Sequence, residues 1–119
     1  MHKYENLVVW QRSIDLCGDV YWATQALPSS ERFGLMSQMR RAVVSISSNI
    51  AEGSASQTRK SFLNYLTIAM GSAYELDTQL VVSTKVGMLD SAVVEPLRVE
   101  LHEVRAMIGG LKRSPAVRA

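Results

Sequence analysis

The chain has 119 residues, enough for one domain with a single substantial core and too few for two. A composition 47% hydrophobic and 20% charged, with 3 prolines and 7 glycines, excludes a disordered, collagen-like or low-complexity chain. The formal net charge is only +2, so no overall basic field argues for nucleic acid, and a single cysteine, Cys17, permits neither an internal disulfide nor a multi-cysteine zinc site. A lone thiol suits a reducing compartment. Residues 1–6 are too polar for a signal peptide, and no run reaches the roughly 18 apolar residues that cross a bilayer. A cytoplasmic protein without membrane association is the expectation.

The spacing predicts a first helix over 7–27. Leu7, Trp10, Ile14, Cys17 and Tyr21 form one apolar stripe, and Val9, Leu16, Val20, Ala23 and Leu27 form a second beside it. Together they cover roughly half the helix surface, wider than one core seam requires, which predicts a second packing partner such as another subunit in a closed ring. Trp22 falls on the polar side. Pro28 closes this helix, Ser29 and Ser30 offer an N-cap for the next, and Glu31 favours its first turn.

A second helix follows over 31–52, its apolar stripe beginning at Leu35 and continuing through Met39, Val43, Ile46 and Ile50, with Gly53 as the residue that ends it. The β-branched cluster of Val43, Val44 and Ile46 does not make a strand, because apolar positions recur at three or four rather than two. Residues 53–57 read as a short helix hairpin. The third helix, over 58–86, repeats Phe62, Leu66, Ala69, Ala73, Leu76 and Leu80 in heptad fashion and stops at Gly87. Small residues over 69–73 let another helix approach closely. The fourth, over 91–111, is capped by Asp90 or Ser91, has Pro96 near its first turn, and aligns Val94, Leu97, Leu101, Val104 and Ile108; Gly109, Gly110 and residues 112–119 are expected to fray. Four such helices joined by short turns make an all-α, antiparallel up-down-up-down four-helix bundle spanning 1–119 as one domain.

Candidate chemistry is sparse. A di-metal centre in a bundle needs two Glu-x-x-His pairs and further carboxylates, whereas only His2 and His102 are present, the first terminal and the second on a charged face between Glu100 and Glu103. Cys17, on an apolar stripe, reads as a buried structural thiol. No nucleophile elbow, P-loop or dinucleotide fingerprint occurs, so no enzyme, metal or cofactor is expected.

What stands out is local charge. Residues 1–31 sum to −2, residues 32–60 to +4 and residues 61–119 to zero. Glu52 at a helix C-terminus and Arg59 and Lys60 at a helix N-terminus oppose the helix dipole. Either Glu52 and Arg59 form a surface pair of little worth, or Arg40, Arg41, Arg59 and Lys60, multiplied by subunit symmetry, form a basic stripe for phosphate backbone. Asn49 and Glu75 read as buried polar groups setting register between the second and third helices. Tyr4, Trp22, Tyr65 and Tyr74 are stacking candidates, although helical spacing makes core or interface the commoner use of such residues.

Three motifs then carry a resemblance: Glu31-x-Phe33-Gly34-Leu35-x-x-Gln38-x-Arg40-Arg41-Ala42, Ser45-Ile46-x-x-Asn49-Ile50-Ala51-Glu52-Gly53 and Ala69-x-Gly71-Ser72-x-x-Glu75-Leu76. Over nearly the whole chain this resembles the four-helix bundle proteins of the 23S rRNA intervening-sequence family. The resemblance implies a small bacterial protein that assembles as a homopentamer. It also implies kinship with the accessory variability-determinant protein of diversity-generating retroelements, a basic pentamer that binds nucleic acid and a reverse transcriptase. Arg40, Arg41, Arg59 and Lys60 match basic positions of the pattern and are the candidate nucleic-acid contacts. Gln38, Asn49, Glu52, Gly53, Gly71, Ser72 and Glu75 match motif positions and are read as bundle-stabilising. The expectation is a non-enzymatic homo-oligomer that binds RNA or DNA backbone without strong sequence preference; the alternative is a protein-interaction scaffold that binds a partner protein and no nucleic acid.

Overall fold

The structure, a computed structural model, describes residues 3–114. Four helices follow one another: α1 (Val8–Thr24), α2 (Leu35–Ser54), α3 (Arg59–Lys85) and α4 (Ser91–Arg113). At about 1.5 Å per residue α3 spans roughly 40 Å, close to the 46 Å long axis of the molecule. Cross-helix contacts give the direction of each pair. Ser45 meets Ser72, while Gly53, further along α2, lies against Phe62 and Tyr65, earlier on α3. Cys17 meets Ser47 while Arg40 reaches Tyr21 and Thr24; Asp77 pairs with Arg98 while Tyr74 lies under Arg105. Rising residue numbers on one helix therefore meet falling numbers on the next, and α4 closes against α1. This is the predicted all-α up-down-up-down bundle.

The heptad of α3 lies at its centre: Phe62, Leu66, Ala69, Ala73, Leu76 and Leu80 are all fully buried. Against them pack Met39, Val43, Ile46 and Ile50 of α2, Leu16 and Val20 of α1, and Leu101, Val104 and Ile108 of α4. Each such side chain contributes about 1.5–3 kcal/mol by leaving water. The wide apolar surface of α1 is largely absorbed within the subunit: Val9, Leu16 and Val20 are buried, and Trp10, Cys17 and Ala23 pack at the core margin. Ile14 and Tyr21 stay exposed.

Several boundaries differ from the sequence expectation. α1 stops at Thr24 rather than 27, because Leu27 precedes Pro28 and is pushed out of helical geometry; the last N–H groups turn to carbonyls three residues back. Ser29–Glu31 forms a separate 3-10 turn, and α2 starts at Leu35 rather than 31. Gly34, at φ −109° and ψ −115°, breaks the path, and the expected serine cap is replaced by Glu31, whose Oε1 accepts the Leu35 N–H at 3.0 Å. Gly53 does not end α2, which continues through Ser54. Its role is close approach: a Cβ there would stand 2.9 Å from the Tyr65 Cβ. Gly87, in contrast, ends α3 at φ +76° as expected, and the Asp90 side chain caps α4 by accepting the Ala92 N–H at 2.9 Å. Pro96 lies in the second turn of α4, on its exposed side. Gly109, Gly110, Lys112 and Arg113 are helical rather than frayed, because Arg59 donates to the Lys112 and Ser114 carbonyls at 3.3 and 3.0 Å. Residues 115–119 of the expected frayed tail, and His2, lie outside the described residues.

Candidate functional site

The turn over residues 28–34 crosses the N-terminal half of α2 and, with the end of α1 and the middle of α3, walls an open groove of about 1320 Å³. The motif residues converge here. Gln38 and Arg41 come from α2 and Glu75 and Gln79 from α3, while Phe33 forms a lip. On the floor Ser45 Oγ and Ser72 Oγ lie 2.8 Å apart, and Asn49 Nδ2 donates to the Ser45 carbonyl and hydroxyl at 2.8 and 3.0 Å. Asn49, half-buried, thus bonds within α2, and the cross-helix contact at this level is the Ser45–Ser72 pair. Glu75 does not set register either: it is exposed on the groove wall, because its position in the α3 helix lies outside the heptad seam. Gln79 was not singled out in the sequence, although its place three residues after Leu76 puts it at a core-facing register. It is 8% exposed, and its Oε1 has no hydrogen-bond donor. An acceptor left so costs about 1–3 kcal/mol.

The four candidate cations do not form one patch. Arg40 is turned inward: its Nε donates to Thr24 Oγ1 at 2.9 Å, its Nη2 to the Tyr21 carbonyl at 3.1 Å, and its guanidinium lies 4.6 Å from the Tyr21 ring centre. Arg59 caps α4. The placement that opposed the dipole of α3 is resolved, since the charge sits against the negative end of a different helix. Arg41 and Lys60 are exposed, and among the described residues neither enters an ion pair. They lie on different stretches of the bundle, Arg41 in the groove and Lys60 in the first turn of α3. Glu52 is exposed at the end of α2. Gly71 is exposed too, with open space where a Cβ would stand, so of the small segment over 69–73 it is Ala69, Ser72 and Ala73 that face neighbouring helices.

Elsewhere charge serves the bundle. Arg12 donates to both Glu100 oxygens at 2.8 Å and to Glu103, clamping α1 to α4, and this hydrogen bond and charge hold the Glu103 carboxyl below its ordinary range. Arg98 binds Asp77 at 2.8 Å across α3 and α4. His102 is exposed, with its Nδ1 3.1 Å from Arg105 Nη2. Burial pushes the Cys17 thiol above its ordinary value, with a smaller opposing effect from Ser47, which makes it a weak nucleophile. Among the described residues no group of three His, Cys, Asp or Glu side chains is placed to hold a metal, and no helix is long and apolar enough to cross a membrane.

The aromatics divide sharply. Tyr4 stacks edge-on with Trp10, Tyr65 packs beside Gly53, and Tyr74 lies under Arg105. Trp22 and Phe33, by contrast, are 76 and 87% exposed. Phe33 is the groove-lip residue to which the sequence reading assigned no role.

Fold and groove together define a class: long four-helix bundles with a motif-lined groove on one flank. The chain belongs to the 23S rRNA-intervening sequence protein family, whose model matches residues 5–110. It is similar to a solved structure from Bacteroides thetaiotaomicron VPI-5482, a protein with unknown function from the S23 ribosomal protein family. The TM-score is 0.81 and the identity 22%, over 90% of this chain and all of that one. No curated protein matches it. The structural likeness adds the fold.

Proposed function

We propose that this chain is a non-enzymatic protein that works as an assembly of identical subunits and serves as a docking scaffold for a partner protein. The observation that carries the reading is the exposure of Trp22 and Phe33, with Ile14, Tyr21 and Val44 also exposed on α1 and α2. Large aromatic groups left in water mark interaction surfaces and are the side chains that anchor interfaces. Burying them against copies of the chain removes that surface and leaves the exposed Val81, Val82, Val93 and Val99 of α3 and α4 for a partner, and the family resemblance supports a pentamer. A cytoplasmic location accords with the single thiol.

Binding to RNA or DNA backbone is the second reading, favoured by the exposure of Arg41 and Lys60, which subunit symmetry would multiply. It ranks second because Arg40 and Arg59 already hold helix ends. Fluorescence anisotropy with a labelled single-stranded RNA separates the two. Scaffold behaviour gives no binding at about 50 mM salt. Affinity that falls by orders of magnitude towards about 200 mM, and that is lost in Arg41→Ala and Lys60→Ala proteins of unchanged mass, replaces it with the second reading.

A further inference from the structure

We infer that copies of this chain join through two different surfaces, the Trp22 face of α1 in one copy seating in the Arg41 groove of the next. The inference rests on the assembly reading above and specifies its contact. Trp22 shares its face of α1 with Asp15 and Asp19, seven and three residues before it, so an aromatic anchor has two carboxylates on its N-terminal side. All three are exposed, and among the described residues neither carboxylate enters an ion pair. The groove offers the complement: Arg41 and Arg32 line it and outnumber its one carboxylate, Glu75, and Phe33, Met36 and Val44 supply apolar wall.

Two α1 faces packed on each other would instead bring Asp15 and Asp19 against their own copies and leave the groove cations unmatched. Tyr21, which lines the groove, and Trp22 are consecutive on α1 and so point about 100° apart. Face and groove therefore look in different directions, and a contact between them is heterologous. Each added copy keeps a free face and a free groove until a ring closes.

Sedimentation velocity on the full chain at micromolar concentration tests this, with circular dichroism confirming helicity. Trp22→Glu removes the face, Arg41→Glu the groove; Asp19→Arg and Phe33→Asp serve if either first choice loses helicity. Each variant alone should sediment as a 13.2 kDa monomer, and an equimolar mixture of one face and one groove variant should form a particle of twice that mass, since one intact face then meets one intact groove. A face or groove variant that keeps the wild-type assembly overturns the inference, as does a mixture that stays monomeric. Wild-type protein that is itself monomeric overturns the assembly reading and this contact with it.

Discussion

Arg40 and Arg59 perform one task in two places, each placing a guanidinium against the terminal carbonyls of another helix. The Arg59 contact and the Arg40 bond to Thr24 Oγ1 are partly buried and charge-assisted, while the Arg40 bond to the Tyr21 carbonyl is exposed, so Arg40→Ala and Arg59→Ala should each lower unfolding free energy by about 1–3 kcal/mol. Arg41→Ala, at an exposed residue, should change the stability of the isolated subunit by no more than about 0.5 kcal/mol. Urea denaturation of the three variants checks this, and equal effects would remove the distinction between structural and available cations. Cys17, its thiol pushed up by burial, should alkylate far more slowly at about pH 8 than a free thiol, and reach that rate only on unfolding. That the thiol packs against the core was legible from its place on an apolar stripe, although it is half-buried rather than buried. The inward turn of Arg40 and Arg59 was not, because a long side chain's partner is set by which helix end lies beside it, which one-dimensional spacing does not contain.

Among the helices, packing is tightest where α2 meets α3 at Gly53. Gly53→Ala should destabilise by about 1–3 kcal/mol, since its Cβ would press on Tyr65 and Phe62, atoms held within the core. Gly71→Ala, in open space on α3, should stabilise the isolated subunit by up to about 1 kcal/mol. Melting curves of the pair decide whether glycine serves approach at one position and nothing at the other. The α1–α4 clamp carries a pH signature. Because Arg12 lowers the folded-state pKa of Glu103, its stabilisation is complete above the unfolded pKa and is lost as pH falls through the folded value. The gap in urea midpoint between wild type and Glu103→Gln should close on acidification through and below the carboxylate range; a gap that persists there would show that the charge is not responsible. Helix number, the α3 seam and the Gly87 and Asp90 boundaries were all readable from periodicity and capping. The start of α2 was missed because a carboxylate four residues earlier replaced the expected serine cap, and the end of α4 because its support comes from Arg59, far away in sequence.

At the scale of the molecule, the bundle buries its core and yet leaves Trp22 on α1 and Phe33 at the groove lip in water. The surplus apolar surface of α1 was legible, but its location was misplaced: most of both stripes is used within the subunit, and the exposed anchor is Trp22, which the helical register put on the polar side. Periodicity ranks faces by average polarity, and one tryptophan following two aspartates averages to a polar face. Self-assembly is the claim on which scaffold, symmetry and groove all depend. Sedimentation velocity of the wild-type chain over a concentration series through the micromolar range tests it most directly. The account predicts a single species at a fixed multiple of 13.2 kDa; a particle that stays at 13.2 kDa throughout would contradict it.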